Sequence, residues 1–211
     1  MITFTTSNLN IIIPKGKLFS GSLRFLKSCG VNVSLVENFK GIAKYDCLEV
    51  LIARAFDIPI YVESKADLGI TGKDIIAETQ RKVVVLKKLP FGKCRLSVAV
   101  PRGRNAKSVE DMDGFRVATK YLNIAREFFL QKGISVEIVK LRGCVEVAAK
   151  LGVADAIVEI IETGKTLRVF DLVEVAKIMD VYAVLIANKS ALKAKKCILR
   201  DFLRKGGVNI E

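Results

Sequence analysis

Short apolar runs, each closed by a turn and followed by a stretch of helical period, recur along the chain. Leu9 to Ile13 is continuously apolar, as a strand buried on both faces requires, and Pro14-Lys15-Gly16-Lys17 is the turn after it. Leu18, Ser22, Phe25, Leu26 and Cys29 then fall on one side of a helix that Gly30 ends. Val31 to Val36 predicts a second strand, Glu37 to Asp46 a polar loop or edge hairpin, and Cys47 to Ala53 an apolar run that stops at Arg54. Asp57 as a cap with Pro59 in the first turn predicts a helix that ends near Lys65. Asp67 to Thr71 is a short strand running into Gly72-Lys73-Asp74 and a helix to about Thr79. Val83 to Leu89 and Arg95 to Val100 read as strands on either side of a Pro90-Phe91-Gly92 turn.

The pattern then restarts. Ser108 to Gly114 is rich in turn formers, Phe115 to Ala118 is a strand, and Tyr121 to Lys132 is a helix closed by Gly133. Ser135 to Val139 reads as a strand, Val145 to Leu151 as a helix, and Asp155 to Ile161 as a strand. Leu172 to Ala187 is extended and broken near Asp180, and an amphipathic basic helix starts at Ser190. The restart predicts two α/β lobes without a residue-level repeat between them: residues 1–93 plus 184–211, and residues 94–183. Two crossing strands would join the lobes and leave between them a cleft that closes on ligand.

The segment DAIVEIIETGKTL, Asp155 to Leu167, carries the sharpest chemistry. Thr163-Gly164-Lys165-Thr166 supplies two hydroxyls, a glycine, a lysine and the first N–H groups of a helix, which are the parts of an anion cradle. Asp155, Glu159 and Glu162 could accept hydrogen bonds from ribose hydroxyls or hold the waters of a Mg²⁺ ion. The alternative is an ordinary helix cap after a strand. Lys15 and Lys17, at the carboxyl end of the first strand, face the same choice between a ligand crevice and a solvated turn.

The totals narrow the options. At 51% hydrophobic and 27% charged residues the chain is globular. The apolar run from Tyr182 to Ala187 is far shorter than a membrane span, and the first residues do not resemble a signal peptide, so a cytoplasmic protein is expected. There is no histidine, which removes Ser-His and Cys-His catalysis and histidine metal sites. Five scattered cysteines without a CxxC spacing predict reduced thiols. The net charge of +13 calls for an anionic partner. Lys189 to Lys205 holds seven basic residues against one acid, Asp201, but its one aromatic, Phe202, belongs to the helix's apolar side and none is set among the basic residues to stack bases, so nucleic acid is not expected there.

The blocks IIIPKGKL, RAFDIPIYV, ADLGITGKDII, VATKY and RGCVEVAAKLGVADAIVEIIETGKTL occur in the order and spacing of ATP phosphoribosyltransferase, which the chain resembles from Leu9 to about Ser190. The resemblance implies a bilobal fold like the type II periplasmic binding proteins. It implies the first step of histidine biosynthesis: adenine N1 of ATP attacks C1 of phosphoribosyl pyrophosphate, with Mg²⁺, and pyrophosphate leaves. The chain is similar to the short form of the family, which implies a homodimer, or a hetero-oligomer with a regulatory subunit resembling histidyl-tRNA synthetase. Carried over by position, Thr163, Gly164, Lys165 and Thr166 would hold the 5′-phosphate, and Asp155 and Glu159 would lie near the ribose, with Glu159 standing where aspartate is usual. Lys15, Gly16 and Lys17 match the first-strand turn, Arg54 an arginine near the pyrophosphate, and Gly72 and Asp74 a cleft-facing turn. Glu146 opens the most specific block. Mg²⁺ would ride mainly on the substrate's pyrophosphate, with Asp155 or Glu159 as candidate protein ligands.

Three classes of function stand side by side at this point: the transferase, a solute-binding protein of the same fold that clasps one small anion, and a basic nucleic-acid-binding protein. The absence of a signal-like start and the TGxTL loop behind an acidic strand favour the first.

Overall fold

The computed structural model describes residues 9–37, 42–45, 47–104 and 106–210. Residues 38–41 and 46, part of the expected loop or edge hairpin, lie outside the described residues. Two compact units emerge, one from the residues up to Gly92 together with those from Tyr182 onward, the other from Lys93 to Val181.

The first unit contains β1 (Leu9–Pro14), α1 (Phe19–Ser28), α2 (Ser34–Glu37), β2 (Ile42–Tyr45), β3 (Leu48–Ala53), α3 (Ile58–Ser64), β4 (Leu68–Gly72), α4 (Lys73–Thr79) and β5 (Val84–Lys88). The second is built from β6 (Cys94–Pro101), a 3₁₀ turn (Val109–Met112), β7 (Arg116–Thr119), α5 (Leu122–Lys132), β8 (Glu137–Lys140), α6 (Val145–Lys150), β9 (Ala156–Ile161), α7 (Lys165–Val169) and β10 (Leu172–Val181). The chain then re-enters the first unit with β11 (Ala183–Ala187), α8 (Lys189–Ala194) and α9 (Lys196–Lys205).

Among the described residues the first unit's sheet has the order β2-β3-β1-β4-β11-β5, with β3, β1 and β4 parallel. Alternate residues of each strand face opposite layers. Ile11 and Ile13 pack with Leu68, Ile70 and Leu185 against Phe25, Leu26, Leu199 and Leu203, whereas Ile12, Val184 and Ile186 meet Ile58, Val62 and Ala66 of α3 and the residues just after it. Burial on both faces explains why these strands read as continuous apolar runs rather than alternating ones. Each fully buried Leu or Ile stabilises the unit by about 1.5–3 kcal/mol. In the second unit the order is β10-β6-β9-β7-β8, with β9, β7 and β8 parallel and β6 antiparallel to β9.

The two parallel trios follow one plan. In each, the first strand is central, the second and third flank it, and an antiparallel strand (β11 or β6) lies beside the third. The plan exposes a correspondence that the sequence conceals. Ala66-Asp67 precedes β4 and Thr71-Gly72-Lys73 ends it; Ala154-Asp155 precedes β9 and Thr163-Gly164-Lys165 follows it. The strands and turns between differ in length, so no fixed period marks the match.

Two local expectations are corrected, and a third holds in position only. Val31 to Val36 is not a strand: Asn32 Oδ1 accepts the N–H of Ser34 at 3.3 Å and its hydroxyl at 2.6 Å, and this turn starts α2 instead. Asp57 occupies the cap position of α3, but its side chain makes no cap hydrogen bond. The basic helix is two helices, because Lys195 leaves helical geometry (φ −118°, ψ 26°) and sends its ammonium to the buried Asp67 carboxylate, 2.8 Å away.

Candidate active site

Parallel strands followed by helices collect their loops at one sheet edge, the carboxyl end, where backbone N–H groups and cations meet a ligand. In the second unit that edge is made by Lys120 and Tyr121 after β7, the 141–146 segment after β8, and the 162–166 segment after β9.

The 162–166 segment is shaped by Gly164, whose φ of +73° lies in the left-handed region. An L side chain there costs about 1–2 kcal/mol. Gly164 is also the N-cap of α7 and no side chain caps the helix, although Thr163 and Thr166 flank it and both are exposed. The hydroxyls are therefore not spent on capping. The N–H groups of Lys165, Thr166 and Leu167 open the helix, and the first N–H drawn back into it is that of Arg168, to the Gly164 carbonyl at 3.2 Å. Glu146 lies in the first turn of α6, partly buried. Glu159, on β9, is buried, and its Oε1 accepts both the Lys120 ammonium and the Ile160 N–H at 2.8 Å.

Asp155 does not join this group. It precedes β9, at the opposite end of the strand from the turn, and six residues of strand span about 20 Å. Its carboxylate accepts the Arg116 backbone N–H at 2.9 Å and the Arg116 guanidinium at 3.1 Å, and it also pairs with Arg104. Hydrogen bonding from the Arg116 side chain, then its backbone N–H and the charges of both arginines, hold the Asp155 carboxyl below the usual range despite burial. In the structure Asp155 ties β7 to β9, away from the turn beside which a ribose or Mg²⁺ role was expected for it.

The first unit repeats the arrangement at its own carboxyl edge. Lys15, Gly16 and Lys17 follow β1, Arg54 follows β3, and Gly72-Lys73-Asp74 joins β4 to α4. β1 and β3 are in register up to Pro14 opposite Ala53, and the Lys15 N–H donates to the Ala53 carbonyl at 2.9 Å, so Lys15 and Arg54 leave neighbouring strands side by side. Lys15, Lys17 and Arg54 are exposed. Asp74 is buried, and its carboxylate fills the space that a Cβ on Gly72 would take. Thr71 is buried and donates its hydroxyl to the Ala55 carbonyl at 3.0 Å.

Two cations escaped the sequence reading: Lys73, exposed, and Lys120, partly buried. Both are the first residue past a parallel strand, and both stand inside blocks (ITGK, VATK) whose other residues drew attention. Among the described residues no cluster of three or more acidic or cysteine side chains could hold a metal, and no helix is long and apolar enough to cross a membrane.

The fold is that of the type II periplasmic binding proteins. The periplasmic aliphatic sulphonate binding protein SsuA from Escherichia coli superposes with a TM-score of 0.61 over 95% of this chain and 69% of its own, at 16% identity. That likeness is one of fold alone. Residues 54–205 match the family description HisG, ATP phosphoribosyltransferase. The ATP phosphoribosyltransferase of Thermococcus gammatolerans is 49% identical over 187 residues, 89% of this chain and 91% of that protein, and that of Pyrococcus furiosus is 46% identical over 197 residues, 93% and 96%. A solved ATP phosphoribosyl transferase (HisG:HisZ) complex from Thermotoga maritima matches with a TM-score of 0.83, covering 94% of this chain and 96% of that one at 28% identity. The chain belongs to the ATP phosphoribosyltransferase family.

Proposed function

We infer that this chain transfers the phosphoribosyl group of phosphoribosyl pyrophosphate to N1 of the adenine of ATP, releasing pyrophosphate. The observation that carries the reading at the site is the Thr163–Thr166 turn: exposed hydroxyls, a left-handed glycine and free helix-opening N–H groups at the end of a buried strand, in a chain of this family. The turn holds the 5′-phosphate, with Lys165 adding charge.

Adenine N1 has a lone pair of its own, so attack on C1 needs no histidine base. The N1–C1 bond forms as the C1–O bond breaks, and the electron pair departs with pyrophosphate. Positive charge builds at C1 and negative charge on the leaving group. Lys15, Lys17 and Arg54 stabilise that leaving group, and the work of the protein is positioning and electrostatics. Gly16 lies in the turn that presents Lys15 and Lys17, and Gly72 and Asp74 shape the separate turn that presents Lys73. A Mg²⁺ ion carried on the substrate's pyrophosphate would add further charge neutralisation. Neither carboxylate considered for it is at liberty, since Asp155 holds two arginines and Glu159 holds a lysine and a backbone N–H.

The chain works in the cytoplasm as a homodimer or with a regulatory subunit, a pairing of the kind named for the Thermotoga maritima complex. Mixing it with ATP, phosphoribosyl pyrophosphate and Mg²⁺, with and without such a subunit, should change the adenine ultraviolet spectrum and release pyrophosphate. No product in either condition would overturn the reading.

A further inference from the structure

We propose that Lys120 binds a phosphate oxygen of the phosphoribosyl donor and that Glu159 is the residue that positions it, not a ribose ligand. The proposal rests on the transferase reading above and adds two residue roles to it.

Lys120 is the first residue after β7, the central strand of the parallel trio. Its backbone is pinned on both sides by Thr119, which is fully buried. The Thr119 hydroxyl donates to the Val158 carbonyl at 2.8 Å and accepts the Tyr121 N–H at 2.9 Å. The lysine stem lies by the ring of Tyr121, with Nζ 5.3 Å from its centroid. Neither end of this residue drifts.

Glu159 fixes the ammonium. The ladder between β7 and β9 ends with Thr119 opposite Val158, so beyond that point the β9 backbone has no neighbour on the β7 side. The Glu159 carboxylate turns back to that backbone and accepts the Ile160 N–H at 2.8 Å, and the same oxygen, Oε1, takes the Lys120 ammonium at 2.8 Å. Only 11% of the Glu159 side chain is exposed, against 31% of Lys120. The acid is thus turned inward and the cation is what the edge presents. An ammonium carries three donors, of which Glu159 takes one. A partly exposed point charge with donors to spare, at the edge that holds the Thr163–Thr166 turn, is a phosphate ligand by its chemistry. A carboxylate already engaged by a lysine and a backbone N–H is a poor partner for a sugar hydroxyl.

Calorimetric binding of phosphoribosyl pyrophosphate with Mg²⁺ and steady-state kinetics, read side by side, test this. Lys120→Met should raise the Kd and KM for phosphoribosyl pyrophosphate at least about tenfold, the scale of a lost charge-assisted hydrogen bond, with the KM for ATP unmoved. Lys120→Arg should recover part of the loss. Glu159→Gln keeps the acceptor for Ile160 but frees the lysine, and should raise the same constants about threefold or more. The double variant should be no worse than Lys120→Met alone, because Glu159 acts only through Lys120. Additive losses would return Glu159 to direct substrate contact and overturn its positioning role. A Lys120→Met protein with an unchanged Kd, whether or not its melting temperature falls, would overturn the binding role. Wild-type protein that neither binds the donor nor turns over would sink the transferase reading together with this one, whereas normal wild-type behaviour with silent variants sinks this one alone.

Discussion

Replacing Asp155 with Asn separates a structural tie from a substrate contact. The carboxylate receives the Arg116 backbone N–H and guanidinium and the Arg104 guanidinium. Asparagine keeps the shape and an acceptor but loses the charge and turns an NH₂ group toward cations. Breaking a buried ion pair costs about 3–5 kcal/mol. Here the arginines are 45% and 42% exposed, so solvent screens the pair and the expected loss falls to about 2 kcal/mol. For a chain of this size that lowers the melting temperature by roughly 4–8 °C. The pH dependence follows from the direction of the shift. The folded-state carboxyl is held below its ordinary value, so its stabilisation is complete above the unfolded pKa, about 4, and disappears as pH falls further through the folded value. The gap in melting temperature between wild type and Asp155→Asn should therefore be constant from pH 5 to 8 and close at lower pH. Scanning calorimetry measures it. Assayed well below the melting point, the variant should keep the wild-type KM for phosphoribosyl pyrophosphate. A KM raised about tenfold with no loss of stability would refute the assignment and restore Asp155 to the ribose.

Thr166→Val should raise the KM for phosphoribosyl pyrophosphate by about tenfold, since a hydrogen bond to a charged group is lost, while the circular dichroism spectrum stays the same. Arg54→Ala should lower kcat on the order of 100-fold by removing stabilisation of the leaving group, measured as pyrophosphate release under saturating substrates. Gly72→Ala would drive a methyl into the Asp74 carboxylate, so soluble yield and melting temperature should both fall. Asp67→Asn breaks a buried pair with Lys195, itself 25% exposed, and should cost roughly 5–10 °C of melting temperature through loosening of the α8–α9 junction, visible as faster amide exchange in α9.

The two-unit α/β plan and the family were legible because local rules and burial agree. Strands covered on both faces give unbroken apolar runs, and glycines such as Gly133 close helices where the pattern stops. What was misread turned on single side chains whose partners are distant in sequence. Asn32 starts a helix where Val31, Val33 and Val36 imitate a strand. Lys195 interrupts a helix to reach Asp67, 128 positions away. At the site, the spacing of Asp155 and Glu159 marks both as acids of one strand. It carries no sign that Asp155 stands at the far end with two arginines, or that Glu159 turns its carboxylate to its own backbone. Lys73 and Lys120 stand in ADLGITGKDII and VATKY, yet a lysine one residue past a strand has meaning only once the strand's direction and neighbours are known.

Strand polarity sorts the charges of both units. Each of the six parallel strands β1, β3, β4, β7, β8 and β9 is followed within four residues by a cation that is at least partly exposed: Lys15, Arg54, Lys73, Lys120, Arg142 and Lys165. The amino ends carry the opposite device, a buried aspartate that bonds back to the first strand of its trio, Asp67 to the Asn10 N–H and Asp155 to that of Arg116. One strand plan used twice thus gives each unit a cationic carboxyl edge of its own. The plan does not make the edges equal. In the second unit the Thr-Gly-Lys turn is open, with Thr163 exposed and a positive-φ glycine, so it can wrap a monoester phosphate. In the first unit Thr71 spends its hydroxyl on Ala55 and Asp74 fills the space over Gly72, so the same three residues offer only the charge of Lys73. On the proposed reaction this is the division of labour required: a fitted cradle for the phosphate that stays on the sugar, and point charges without a fitted socket for the pyrophosphate that must leave.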